Sequence, residues 1–130
     1  MADRTLVIPK GMENQYEEWQ IAPGVRVGDT LYCSGQIGFA ADGSLPQDPE
    51  AQYVNAFEAV GAILAEAGGS FADLVEVSSF HIDLVAHMDL FQKVRARYIA
   101  KPYPAETAVG VAELVIPGAL LEIRATAVLG

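Results

Sequence analysis

The chain has 130 residues and a mass of 13.9 kDa, the size of one domain, with 52% hydrophobic and 19% charged residues. Its formal net charge of −9 gives it no excess of cations to displace counterions from a phosphate backbone, and its apolar content is too high for a disordered chain. So apolar a composition in a small globule predicts a large core or a face buried against a second copy, because small domains expose much of their surface.

Met1–Lys10 holds no apolar run of signal-peptide length, and no uninterrupted apolar stretch is long enough to span a membrane. Cys33 is the single cysteine, which excludes an internal disulfide and suits a reducing, cytoplasmic setting. His81, His87 and Cys33 show no metal-ligand spacing.

In chain order, residues 11–24 read as an irregular lead-in. Val25–Val27 and Thr30–Ser34 read as two strands about a Gly28-Asp29 turn, followed by loop through Ala41–Ser44. Asp48-Pro49-Glu50 starts a helix: Asp48 caps free N–H groups, proline fits the first helical position and Glu50 suits the positive dipole end. Tyr53, Phe57, Val60 and Leu64 make one apolar stripe, and Gly68-Gly69 ends it.

Leu74–Leu84 is strand-like, and a second helix carries Met88, Phe91, Val94 or Arg95, and Tyr98 on one side until Lys101-Pro102-Tyr103-Pro104 breaks it. Thr107–Val115 and Ala119–Val128 read as the closing strands, joined through Ile116-Pro117-Gly118. The order β-β-α-β-α-β-β predicts a two-layer α+β sandwich, with both helices on one face of the sheet and residues 1–130 in a single domain. The strands carry apolar residues on both faces, so the uncovered face predicts a partner, most simply another subunit.

No ready-made catalytic set is present. Ser34, in Tyr32-Cys33-Ser34-Gly35-Gln36, lacks the Gly-x-Ser-x-Gly elbow and reads as a serine ending a strand. Cys33 alternates with Leu31 and reads as a buried, inert thiol. His81 shares a face with Asp83, which favours structural pairing or solvent exposure over general-base work, and His87 has no visible partner. Glu122, Arg124 and Thr126 share one face of an otherwise apolar strand. A charge there needs a reason, either a Glu122–Arg124 ion pair at the rim of the sheet or a site carboxylate whose raised pKa lets it orient or deprotonate a water.

Tyr32-Cys33-Ser34-Gly35-Gln36-Ile37-Gly38, Asn55-Ala56-Phe57, Ala67-Gly68-Gly69-Ser70, Tyr103-Pro104-Ala105 and Leu121-Glu122-Ile123 stand in the order and spacing of the Rid family. These are the reactive-intermediate (enamine/imine) deaminases, also called the YjgF family, and the resemblance covers residues 20–128. It implies a chorismate-mutase-like fold with a mixed sheet, assembled as a homotrimer with a site in each cleft between subunits. It also implies hydrolysis of 2-imino or 2-enamino acids to 2-oxo acids and ammonia, without metal or organic cofactor. Carried over by residue, the water-orienting role falls on Glu122, and Ser34 and Gly35 line the cleft.

The family's carboxylate-binding arginine does not carry over: Pro104-Ala105 is followed by Glu106. Glutamate cannot imitate a planar two-pronged donor and would repel an anionic substrate. Three readings stand open: Arg26 or Arg124 takes the carboxylate; the site has changed to a cationic or neutral enamine, imine or amide with Glu106 as acceptor; or Glu106 points to solvent. The family's N-terminal aromatic is displaced as well, with Ile21 at its place and Tyr16 or Trp19 as stand-ins.

The function expected is therefore a cofactor-free hydrolase of a small enamine- or imine-like metabolite. The alternative is a trimeric small-molecule-binding protein without turnover. Ribonuclease or translational-inhibitor activity, ascribed to some relatives, is the weakest expectation at a net charge of −9.

Overall fold

A computed structural model describes residues 3–130. Six strands form one sheet: β1 (Thr5–Val7), β2 (Gly24–Val27), β3 (Thr30–Ile37), β4 (Leu74–His81), β5 (Ala105–Gly110) and β6 (Leu121–Val128), in the order β1-β2-β3-β6-β4-β5. The pairing of β4 with β5 is parallel and every other pairing is antiparallel, so the sheet is mixed. Three helices accompany it: α1 (Glu13–Glu17), α2 (Pro49–Glu66) and α3 (Leu84–Arg95). The two long ones, α2 and α3, pack on one face as the expected second layer.

The local signals for α2 act as read. Asp48 accepts a hydrogen bond from the Ala51 N–H at 3.1 Å, Pro49 opens the helix, and Gly68 follows its end at φ 84°, a conformation costly to any residue with a Cβ. Arg26, from β2, donates to the Ala67 carbonyl at 3.4 Å and so meets the negative end of the α2 dipole. Tyr53, Phe57, Val60, Ile63 and Leu64 are buried against Leu31, Cys33, Leu121, Ile123, Ala125 and Ala127 of β3 and β6. Between α2 and α3 the rings of Tyr53 and Phe91 meet edge to face at 6.0 Å, and Phe57 of α2 stacks at 5.0 Å on Tyr98, just past the end of α3.

Several boundaries differ from the sequence expectation. The short strand β1 precedes the lead-in, and the lead-in itself contains the single-turn-scale helix α1. β4 stops at His81, and α3 ends at Arg95, after which turns carry the chain through Tyr98 and Ile99. β5 runs over 105–110 instead of 107–115, because its register with β4 opens at Glu76↔Ala105 and closes at His81↔Gly110, where β4 itself ends. Residues 111–120 are a loop tied to α2 by the buried Gln52, whose amide donates to the Pro46 and Gly118 carbonyls at 2.8 and 3.0 Å. Its side-chain oxygen accepts from the Leu120 N–H at 2.8 Å, which delays the start of β6 to Leu121.

The face of the sheet away from α2 and α3 carries Thr30, Tyr32, Ser78, Phe80, Thr107, Val109, Arg124, Thr126 and Val128 by register. It is less apolar than expected, because Leu114 and Leu120 lie in the loop rather than on a strand. No element of the described chain forms a second layer there, and Tyr32, Val109 and Val128 remain 49%, 39% and 48% exposed. No helix of the described residues is long and apolar enough to cross a membrane.

Candidate functional site

Glu122 lies on that uncovered face, beside Phe80 of β4 and Ile37 of β3. The ladder between β3 and β6 slips between Cys33 and Gln36, so that Ser34 and Gly35 together stand opposite Arg124. The bulge brings the backbone of Gly35 directly against the Glu122 side chain. A Cβ at position 35 would lie 2.7 Å from the carboxyl carbon, so only glycine leaves the carboxylate its place. Ser34 donates through Oγ to the Ala22 carbonyl at 2.6 Å, which ties the end of the lead-in to the same bulge and sets the exposed Ile21 next to it. The buried Gln36 reaches back to the Ser34 carbonyl at 3.3 Å and to Gln15 of α1 at 3.5 Å.

Glu122 is half-buried, and burial raises its carboxyl above the ordinary carboxylate range. The ion pair with Arg124 is not formed: among the described residues Glu122 has no ion-pair partner, and Arg124 projects exposed from the same face two residues on. A desolvated carboxylate with no cation to hold it is suited to exchanging a proton with a water or substrate.

Glu106 stands elsewhere. Its register partner on β4 is Val77, which is buried under the helices, so Glu106 faces the helical layer while Glu122 faces away from it. It does not point to solvent. Arg95 of α3 grips it through Nε and Nη2, both 2.6 Å from Oε1, with each side chain only 20% exposed. The guanidinium also lies 5.7 Å from the centre of the Tyr103 ring. The pair forms one wall of an open pocket of about 490 Å³, completed by Met88, Phe91, Gln92 and Ala108.

Arg95 is the arginine that sequence reasoning passed over. Its place on the α3 stripe was visible, and a cation on an otherwise apolar stripe was the available signal. Arg26 instead is occupied at the end of α2 and by Asp29 at 3.5 Å, on the helical side of the sheet away from Glu122.

His81 is also not where it was expected. It is fully buried, its Nε2 lies 2.8 Å from Ser79 Oγ, and its ring meets Phe91 edge-on at 4.6 Å. Asp83 has left the strand and sits at the N-cap position of α3 with φ 53° and no side-chain capping hydrogen bond, and His81 pairs with Ser79 instead. Burial, and secondarily His87, lowers the His81 pKa, so it is a neutral core residue at physiological pH. His87 bonds through Nδ1 to the Asp83 carbonyl at 3.1 Å. Cys33 is buried in the core, with its thiol pushed up to about 12 by desolvation. Among the described residues no group of three or more His, Cys, Asp or Glu side chains is gathered to hold a metal ion.

The family model described as Endoribonuclease L-PSP matches residues 14–129. The chain belongs to this family. It is 39% identical over 112 residues to the RutC family protein YjgH of Escherichia coli K12, covering 85% of this chain and 86% of the relative. A 2-iminobutanoate/2-iminopropanoate deaminase of Dermatophagoides farinae is 35% identical over 94 residues, 69% of this chain and 71% of that one. A solved structure of YjgH superposes with a TM-score of 0.89 at 37% identity, over 98% of both chains. The fold is thus the chorismate-mutase-like one that the Rid/YjgF resemblance implied, down to the mixed sheet and the two long helices on one face.

Proposed function

We propose that the protein is a cofactor-free hydrolase of a small imine- or enamine-like metabolite, working in clefts between the subunits of a homotrimer in the cytoplasm. The observation that carries this reading is the half-buried, unpaired Glu122 carboxylate seated over Gly35 on a sheet face that has no cover of its own. Glu106 lies on the opposite face of the same sheet, so a cleft that uses both carboxylates draws them from two copies of the chain. The deaminase among the relatives supports the reaction class.

In this reading Glu122 takes a proton from a water as its oxygen adds to the C=N carbon, and returns it to the nitrogen. The carbinolamine then collapses to the carbonyl and releases ammonia, so imine plus water gives ketone plus ammonia with no redox change. Ser34 and Gly35 shape the wall beside that water, and the exposed guanidinium of Arg124, on the same face, is the cation nearest in sequence for a substrate carboxylate.

The test is hydrolysis of 2-iminopropionate generated in situ by an amino-acid oxidase. Acceleration by the wild type that drops by about a hundredfold or more in Glu122→Ala is the expected result, the usual scale for loss of a general base. Equal rates with wild type, Glu122→Ala and no protein would sink the hydrolase reading. The second reading, a small-molecule-binding trimer without turnover, draws on the Arg95–Glu106 pair, which puts a bound carboxylate where deaminating relatives are expected to present a free arginine.

A further inference from the structure

The Arg95–Glu106 pair is built asymmetrically. Both guanidinium nitrogens that touch the carboxylate, Nε and Nη2, converge on Oε1. A guanidinium has five N–H donors and a carboxylate has two oxygens. The hydrogen bond is donated by Nε, Nη2 lies at the same distance from the same oxygen, and among the described residues no hydrogen bond is seen from Nη1 or to Oε2. A fork-to-fork pair would have used both oxygens and closed the edge. Here a strong donor and a strong acceptor lie side by side on the wall of the pocket, with Phe91, Met88 and Ala108 as its apolar lining and Gln92 as a further polar group.

Charge then selects the occupant. The pair is neutral as a unit, so an anion drawn to Arg95 meets Glu106, and a cation drawn to Glu106 meets Arg95. A planar neutral group with C=O and N–H on one edge answers both: its oxygen accepts from the guanidinium while its nitrogen donates to Oε2. We infer that this pocket binds an uncharged planar group of that kind, a primary carboxamide being the simplest, and that Arg95 and Glu106 determine specificity together. The inference deepens the reading above, and rests on it only in treating the group bound at Glu106 as part of a substrate.

Three small probes separate the possibilities: propionamide and propionate, which share a planar terminus, and the cation propylammonium. Each is titrated into the full-length, isotope-labelled protein at matched ionic strength, following the Arg95 Nε–Hε signal and the Ala108 amide by NMR. Propionamide is expected to shift both and to bind about tenfold more tightly than either ion, the scale of one hydrogen bond to a charged partner. Glu106→Gln keeps the shape and leaves the guanidinium charge unmatched, so the order is expected to reverse in favour of propionate. Stronger binding of propionate or propylammonium by the wild type overturns the inference. So does the absence of any shift, which would leave the pair as a brace between α3 and β5, and so does an unchanged preference in a folded Glu106→Gln. Imine hydrolysis is a separate readout: its failure with amide binding intact removes the hydrolase reading alone.

Discussion

The identity of position 122 matters through solvation more than through charge. A glutamate whose pKa is raised by burial is less stable when ionised in the fold than in the unfolded chain. Between the unfolded and the folded pKa, the native state holds a proton that the unfolded state has released, so stability falls as pH rises through that window. Above the folded pKa the penalty is complete. Glu122→Gln is therefore expected to melt at a higher temperature than the wild type at pH 7, with the gap closing toward pH 4. A variant that melts lower at pH 7, with the wild type unaffected by pH over this range, would show that the carboxylate has a stabilising partner instead. Such a cost is what the proposed proton-moving role of Glu122 would be set against.

Elements in this chain begin and end on short-range signals, and α2 is the clearest case. Its N-cap is one hydrogen bond, donated by the Ala51 N–H to the Asp48 carboxylate at an exposed site. Asp48→Ala is expected to cost about 1 kcal/mol, read as a lower chemical-denaturation midpoint at unchanged slope. A change below about 0.3 kcal/mol would mean that burial of the Tyr53–Leu64 stripe alone holds the helix start in place. β5 shows the opposite regime. Its residues 107–115 read as a strand by composition, yet its extent is set by where β4 offers ladder partners, from Glu76 to His81. Strand limits depend on a neighbour distant in sequence, whereas helix limits are written next to the helix.

At the scale of the molecule, six strands are covered by helices on one face only. The other face holds Tyr32, Val109 and Val128 among Thr30, Thr107 and Thr126, and leaves these three apolar side chains exposed. Light scattering in solution is expected to return about 42 kDa, three times the chain mass of 13.9 kDa. A mass of one chain would remove the second wall of the cleft and with it any site that combines Glu122 with Glu106, since the sheet separates them within a protomer.

By itself the sequence determined the layer architecture, both long helices and the place of Glu122, with Arg124, on one face of an otherwise apolar strand. Those follow from periodicity, caps and turn residues, which act over a few positions and are visible in one dimension. The tertiary structure alone decided what each charge meets. Arg95 and Glu106 are 11 residues apart and come together only when α3 folds back over β5. His81 turned inward to Ser79 rather than toward Asp83 because β4 ends at that residue. The opposite facings of Glu106 and Glu122 arise from pairing register across three strands, 105–110, 74–81 and 121–128. Hydrogen bonds and ion pairs are satisfied by proximity in space, and no spacing along this chain encodes which partner arrives.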